Sequence, residues 1–154
     1  MRYEQSRPRN NACVMALAVV ASPPYAIWDF LSQRGENLIL RWADGEKLSK
    51  ADRARLNQKI DRLAQIDFEL AIGTRLLNGP LRKEIYKLIV HGQVMMRPLL
   101  CRGPFQKEME YTLLLGAIER NRKLPKGCLE DAARNREIIL GERNRRCRHV
   151  PFPT

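Results

Sequence analysis

Residues 84–123 read EIYKLIVHGQVMMRPLLCRGPFQKEMEYTLLLGAIERNRK. Three apolar runs lie in this stretch: Ile85–Val90, Val94–Cys101 and Met109–Ile118. They are rich in Val, Ile, Leu, Met and Tyr, the residues that suit a pleated, half-buried surface. The breaks between them, His91-Gly92-Gln93 and Arg102-Gly103-Pro104-Phe105-Gln106, carry turn chemistry. Two short loops between three such runs predict consecutive hairpins and an antiparallel meander. Along the middle run the side-chain period of two puts Met95, Arg97, Leu99 and Cys101 on one face. Val94, Met96, Pro98 and Leu100 take the other. Pro98 cannot donate to a ladder, so a bulge or an unpaired edge is expected beside Arg97. Gly116 and Ala117 leave room for a ligand or for a close backbone approach. Cations gather at strand ends and loops: Lys87, His91, Arg97, Arg102, Arg120, Arg122 and Lys123.

Upstream, Tyr25–Leu31 reads as a strand between Ser22-Pro23-Pro24 and Gln33-Arg34-Gly35. Glu36–Ala43 has Leu38, Ile39 and Trp42 on one helical face. Ser49–Ile66 is the clearest helix. Ser49 and Asp52 form its start, and Leu56, Ile60, Leu63 and Ala64 form one apolar stripe. Lys50, Arg53, Arg55, Lys59 and Arg62 fill the remainder of that helix, a face that is solvated or touches RNA or a partner. Phe68–Ile72 is read as a continuation of the helix. Asn78-Gly79-Pro80 is read as a turn leading into the sheet.

Downstream, Gly127–Leu140 is a second helix closed by Gly141. The segment Glu142–Thr154 carries Arg143, Arg145, Arg146 and Arg148, then Pro151 and Pro153, which reads as a tail that is disordered alone. At the other end, Arg2, Arg7 and Arg9 precede the apolar run Ala12–Ala21, with the outline of a signal peptide. Ten apolar residues are too few to span a bilayer. The reading preferred is a poorly ordered extension on a cytoplasmic protein, with no membrane association.

The 154 residues suit one domain, and 44% hydrophobic residues suffice for a core. The net charge of +11 and a pI near 10.0 point to a polyanionic partner. Aromatic residues make up only 6%, which argues against a base-stacking platform. Cys13, Cys101, Cys128 and Cys147 have no zinc-knuckle or redox spacing, and only His91 and His149 accompany them. No metal site and no cofactor are expected. Gly-rich phosphate loops, H-E-x-x-H and nucleophile elbows are missing. The basic cluster is left, and such clusters bind phosphate or cleave RNA. In cleavage the 2′-OH attacks phosphorus, and a guanidinium fork suits the charge that grows on the oxygens. His91, Tyr86 or a lysine of lowered pKa would move the proton.

The phrases YKLIVHGQVMMRPLL (86–100) and YTLLLGAIERNRKLPKGCLEDAARNRE (111–137) resemble the RelE/ParE toxin superfamily, in particular its phage-derived, HigB-like branch. The resemblance runs from Tyr25 to Glu142. It implies an α+β fold like that of the microbial ribonucleases: a small antiparallel sheet, an N-terminal helix pair packed on it and a C-terminal helix. Residues 1–24 would be an extension, 25–142 the toxin domain and 143–154 a basic tail.

The resemblance also implies a metal-independent endoribonuclease acting on mRNA with the ribosome, neutralised by a separate antitoxin, expected to be a helix-turn-helix protein. Carried over by position, Arg97 is the arginine at the scissile phosphate and Lys87 the basic residue of the preceding strand. Arg120, Arg122 and Lys123 form the cluster after the last strand. His91 is an additional candidate. Arg102, Arg143, Arg145, Arg146 and Arg148 would add RNA contacts. The family often has arginine where Ile89 stands. That departure supports the alternatives, a ParE-like gyrase-directed toxin or a non-catalytic phage-derived nucleic-acid-binding protein. An ordinary structural role for Arg97 would pair it with Glu108 or Glu110 across the hairpin.

Overall fold

The computed structural model describes residues 24–154. The extension expected over 1–24 therefore lies outside the described residues, apart from Pro24. Elements follow in the order β1 (Ala26–Phe30), α1 (Leu38–Gly45), α2 (Lys50–Gln65), α3 (Phe68–Gly73), β2 (Leu77–Arg82), β3 (Ile85–Leu88) and β4 (Val90–His91). They continue with β5 (Met95–Met96), β6 (Leu99–Arg102), β7 (Glu110–Leu115), β8 (Ile118–Glu119), α4 (Cys128–Gly141) and β9 (Arg146–Arg148). The class is α+β.

The meander of the three apolar runs is present: β3, β6 and β7 pair antiparallel in sequence. Each run is nonetheless broken in two along a single crease. The first breaks at Ile89, whose N–H donates to Leu76 O at 2.9 Å instead of continuing the ladder. The second breaks at Arg97-Pro98 and the third at Gly116-Ala117. Pro98 has no N–H to offer, and its carbonyl accepts from Leu88. Gly116 is covered by the Trp42 ring so closely that a Cβ there would collide with it. The small residue at 116 thus serves the approach of a tryptophan. Beyond the crease, β4, β5 and β8 form a separate three-stranded sheet.

The main sheet is larger than the small antiparallel one expected. Its order is β2-β3-β6-β7-β1-β9, and β1 lies parallel to β7, so it is mixed. β2 absorbs Asn78-Gly79-Pro80, read from the sequence as a turn. β2 is an edge strand with a register shift, a position that tolerates proline. Among the described residues three helices, not a pair, precede the meander. Val94, Met96 and Leu100 pack with Ile39, Leu56, Ile60 and Leu63 of α1 and α2 on one face. Leu99 and Cys101 pack with Cys128, Ala132 and Ile139 of α4 on the other. The expected alternation along the middle run is therefore obeyed on both sides of the crease. Cys101 and Cys128 are buried free thiols, and burial pushes Cys101 up to about 12.

α1 begins at Leu38, two residues after the Glu36 expected from the sequence, because Asn37 is its cap and accepts from the N–H groups of Ile39 and Leu40. Ser49 caps α2 by accepting from Asp52 N at 3.1 Å. α3 is a separate short helix, with extended backbone at Ile66 and Asp67 separating it from α2.

The largest departure is at the end of the chain. The predicted disordered tail is strand β9, paired antiparallel to β1. Phe152 is buried in the core, and its backbone exchanges two hydrogen bonds with the Asn57 side chain of α2, at 2.7 and 3.0 Å. Asp29 on β1 is fully buried. His149 Nδ1 lies 2.9 Å from its Oδ2, and Asn37 Nδ2 donates to the same oxygen at 2.9 Å. Among the described residues no helix is long and apolar enough to cross a membrane.

Candidate functional site

Two cationic regions meet at the three-stranded sheet. In the first, one rung runs across it: His91 opposes Met95, and Met95 opposes Glu119. Residues directly opposed on a sheet share a face, so His91 and Glu119 stand two strand spacings apart, roughly 10 Å. His91 is exposed, with Nδ1 3.2 Å from Met95 Sδ. Glu119 draws in the two basic residues that the sequence picked out on the strands. Its Oε2 accepts from Lys87 Nζ at 3.0 Å, and its Oε1 pairs with Arg97 Nη2 at 3.2 Å. The Lys87 hydrogen bond holds the Glu119 carboxyl below its ordinary range. Burial opposes this, and the Arg97 charge reinforces it.

Arg97 is only 4% exposed. Its Nη1 donates to Met96 O at 2.9 Å and to Val90 O at 3.3 Å, while Nε has no partner. The contact with the scissile phosphate expected of Arg97 is thus closed off. Its acid is Glu119 rather than Glu108, which pairs with Arg102, or Glu110, which pairs with Arg146. The reason is the crease. Without a ladder through Pro98, the chain turns Arg97 inward toward β8. Glu119 carried no functional signal in the sequence, because only the register between β5 and β8 brings it between the two cations.

The turn after β8 carries the remaining cluster. Asn121 and Arg122 both take left-handed backbone, φ 53° and 62°, and the Arg120 and Lys123 backbones bond each other across them. Arg122 and Lys123 are exposed, and Arg120 reaches Glu46 at 3.4 Å.

The residues expected to add RNA contacts do not form one surface. Arg102 lies over the Phe68 ring and pairs with Glu108 at 2.6 Å. Arg145 donates from Nε to Leu31 O. Arg146 is almost fully buried, pairing with Glu110 at 2.9 Å and stacking on Trp28. Burial raises the Glu110 carboxyl, but the hydrogen bonds from Arg146, Gln106 and Phe105 outweigh it and hold it low. Of these five, only Arg143, over Phe105, and Arg148, near Trp28, are exposed and have no carboxylate partner among the described residues.

The second region is a groove of about 890 Å³ with His91 at its rim. One wall is α2, which presents Arg55, Lys59 and Arg62; the other holds Thr74, Arg75 and Asn78. Among the described residues, no Asp or Glu lines it. Arg55 is tied to Asp52 at 3.0 Å, whereas Lys59, Arg62 and Arg75 have no carboxylate partner among the described residues. Arg53, on the same helix, is turned away, bonding Leu48 O and Ala43 O. The sequence showed the charged face of this helix without separating Arg53 from its neighbours. Arg75 gave no signal at all, since what aims it is its left-handed backbone at φ 64°.

Asp52 ties the two regions together. It is buried, and its carboxylate accepts from Gln93 N at 2.9 Å and Val94 N at 3.3 Å as well as from Arg55. It thereby fixes the turn that carries His91 onto α2. Gly92 is required there, because a Cβ would run into the Asp52 carboxylate.

Among the described residues there is no group of three or more His, Cys, Asp or Glu side chains arranged to hold a metal ion. No family model, no curated protein and no solved structure matches this chain.

Proposed function

We propose that this chain is a toxin of the RelE/ParE kind, a metal-independent endoribonuclease acting on mRNA at the ribosome in the cytoplasm and held in check by a separate antitoxin. The observation that supports it is the rung His91–Met95–Glu119, with Lys87 and Arg97 gathered on Glu119 beside the exposed Arg120–Lys123 turn. His91 is exposed, and an imidazole can both accept and give up a proton, so it moves the proton between the 2′-OH, the phosphate and the leaving 5′-oxygen. Arg122 and Lys123, exposed and free of carboxylates among the described residues, face the charge that grows on the non-bridging oxygens. Lys87 and Arg97 hold the small sheet and its carboxylate in place and do not touch the phosphate.

The test is expression of the full chain and of His91→Ala, with growth and message integrity followed together. Growth arrest with cut messages is expected for the native chain. For His91→Ala, a proton-transfer role predicts loss of about 10²–10⁴ in cleavage. A native chain that leaves messages intact ends the ribonuclease reading.

One observation favours a second reading, a gyrase-directed toxin or a non-catalytic nucleic-acid-binding protein. Glu119 pairs with both strand cations picked out by the sequence, Lys87 and Arg97, so neither presents an unpaired charge to a phosphate. DNA breaks accumulating while messages stay whole would select the gyrase reading. Binding without growth arrest would select the non-catalytic one.

A further inference from the structure

We infer that the groove between α2 and Arg75 is a track for the sugar-phosphate backbone of single-stranded RNA, engaged by Lys59, Arg62 and Arg75 and continuing toward His91. The inference rests on the nucleic-acid reading above but not on its chemistry. Arg55, Lys59 and Arg62 follow one another at i, i+4 and i+7, successive turns of one helix face. Four residues of helix advance about 6 Å, close to the interval between successive phosphates of an extended strand. Arg75 faces this row from the other wall, and Thr74 and Asn78 add a hydroxyl and an amide beside it.

Arg75 stands at a position where glycine would fit more easily. A non-glycine residue at φ 64° carries a steric penalty that glycine avoids, and the position directly follows a helix, where glycine is the usual occupant. Keeping arginine there retains a cation in the groove at the expense of backbone comfort.

The lining also says what is not read. Among the described residues no Phe, Tyr or Trp lines the groove, so bases have no stacking platform there and the track follows backbone rather than sequence. The absence of carboxylates from the lining fits an anionic strand along the whole length.

The probe is a fluorescein-labelled 2′-O-methyl oligouridine 12-mer. It keeps the phosphates and lacks the attacking hydroxyl, so binding is read apart from cleavage. Anisotropy titrations of the full chain between 50 and 300 mM KCl give the salt slope. Each single-strand phosphate contact contributes about 0.7 to that slope, so Lys59→Gln/Arg62→Gln/Arg75→Gln lowers it by about 2. The single variants lower it by about 0.7 each, and they cover the case in which the triple variant folds poorly. Lys83→Gln/Lys126→Gln/Arg134→Gln removes the same charge from exposed positions outside the groove and leaves most of the slope in place.

An equal fall in both triple variants overturns the track, because net charge alone would then explain binding. So does an unchanged slope in the groove variants, or displacement of the 12-mer by polyglutamate at equal charge, which would mark a surface for acidic protein. Message integrity on expression of the full chain is followed separately. Intact messages with the expected slopes leave the track standing and remove the nuclease.

Discussion

The strand cations and the helix cations look alike in the sequence and meet opposite fates in the fold. Lys87 and Arg97 stand on a sheet that is covered, and they share one carboxylate across β5 and β8. Lys59, Arg62 and Arg75 line an open groove and have no carboxylate among the described residues. A strand side chain facing a neighbouring element is desolvated, so its charge must find a partner within reach. A helix face turned to water carries no such requirement. Charge held in the sheet is therefore spent on architecture, while charge on the helix face remains available for an anion.

The sharpest way to break this contrast is Arg97→Ala. Removing one partner of a buried pair leaves the other charge unsatisfied, here Glu119 with only Lys87, and typically costs about 3–5 kcal/mol. Urea denaturation reads the loss directly. Arg97→Met combined with Lys87→Met and Glu119→Gln should recover much of it, since the desolvated charges then leave together. A native-like midpoint for Arg97→Ala would show the guanidinium to be idle in the fold and would reopen its assignment to the substrate.

The turn that joins the two regions should be next in size. Asp52→Ala removes the acceptor of two backbone N–H groups and frees Arg55. A buried donor left unsatisfied costs about 1–3 kcal/mol, so a loss of about 2–3 kcal/mol is expected after partial hydration. Hydrogen exchange at Gln93 and Val94 locates it. Faster exchange there, with α4 unaffected, sharpens the picture of Asp52 as the tie between groove and small sheet. Unchanged protection at both amides would remove it.

The elements were legible where their signals are local. Ser49 and the Leu56–Ala64 stripe specify α2 within a few residues, and the alternation of Val94–Cys101 sorts its side chains to two faces. The crease was half legible, in Pro98 and Gly116, but its consequence for Arg97 depends on Glu119, which is 22 positions away and reached only through strand register. The tail was misread for the same reason. A run of arginines reads as solvated, yet Arg146 finds Glu110 and His149 finds Asp29, at separations of 36 and 120 residues. Composition reports what a segment needs, and only the fold reports whether the need is met. The parallel contact of β1 with β7 is likewise a long-range pairing with no local mark.

Acid should act on the sheet region and spare the groove. Glu119 and Glu110 are held below their ordinary range in the folded chain. A carboxyl whose folded pKa is depressed contributes stability above its unfolded pKa, about 4.3, and loses that contribution as the pH falls through the folded value. Stability should then be level above about pH 5 and decline steadily below it. Glu119→Gln should flatten part of that decline, because the amide has no proton to gain. An acid slope identical in native and Glu119→Gln chains would mean that the ion-pair cluster on Glu119 gains nothing from ionisation.

The smallest effect is the most telling for the comparison. Lys59→Gln, Arg62→Gln and Arg75→Gln remove the same formal charge as a change at Arg97, yet each should alter folding stability by no more than about 0.5 kcal/mol. Nothing in the fold is orphaned when these side chains lose their charge, since among the described residues no carboxylate pairs with them. The sign should be mildly stabilising at low salt, because the chain carries +11 and its cations repel one another. Raising the ionic strength screens that repulsion, so the gain should fade as the Debye length shrinks from about 10 Å at 0.1 M to about 3 Å at 1 M. Matched urea curves at 0.05 M and 0.5 M KCl read both the sign and its loss. A destabilisation of 2 kcal/mol or more at any of the three positions would mean that the groove cations hold the fold as the strand cations do, and the division between the two regions would fail.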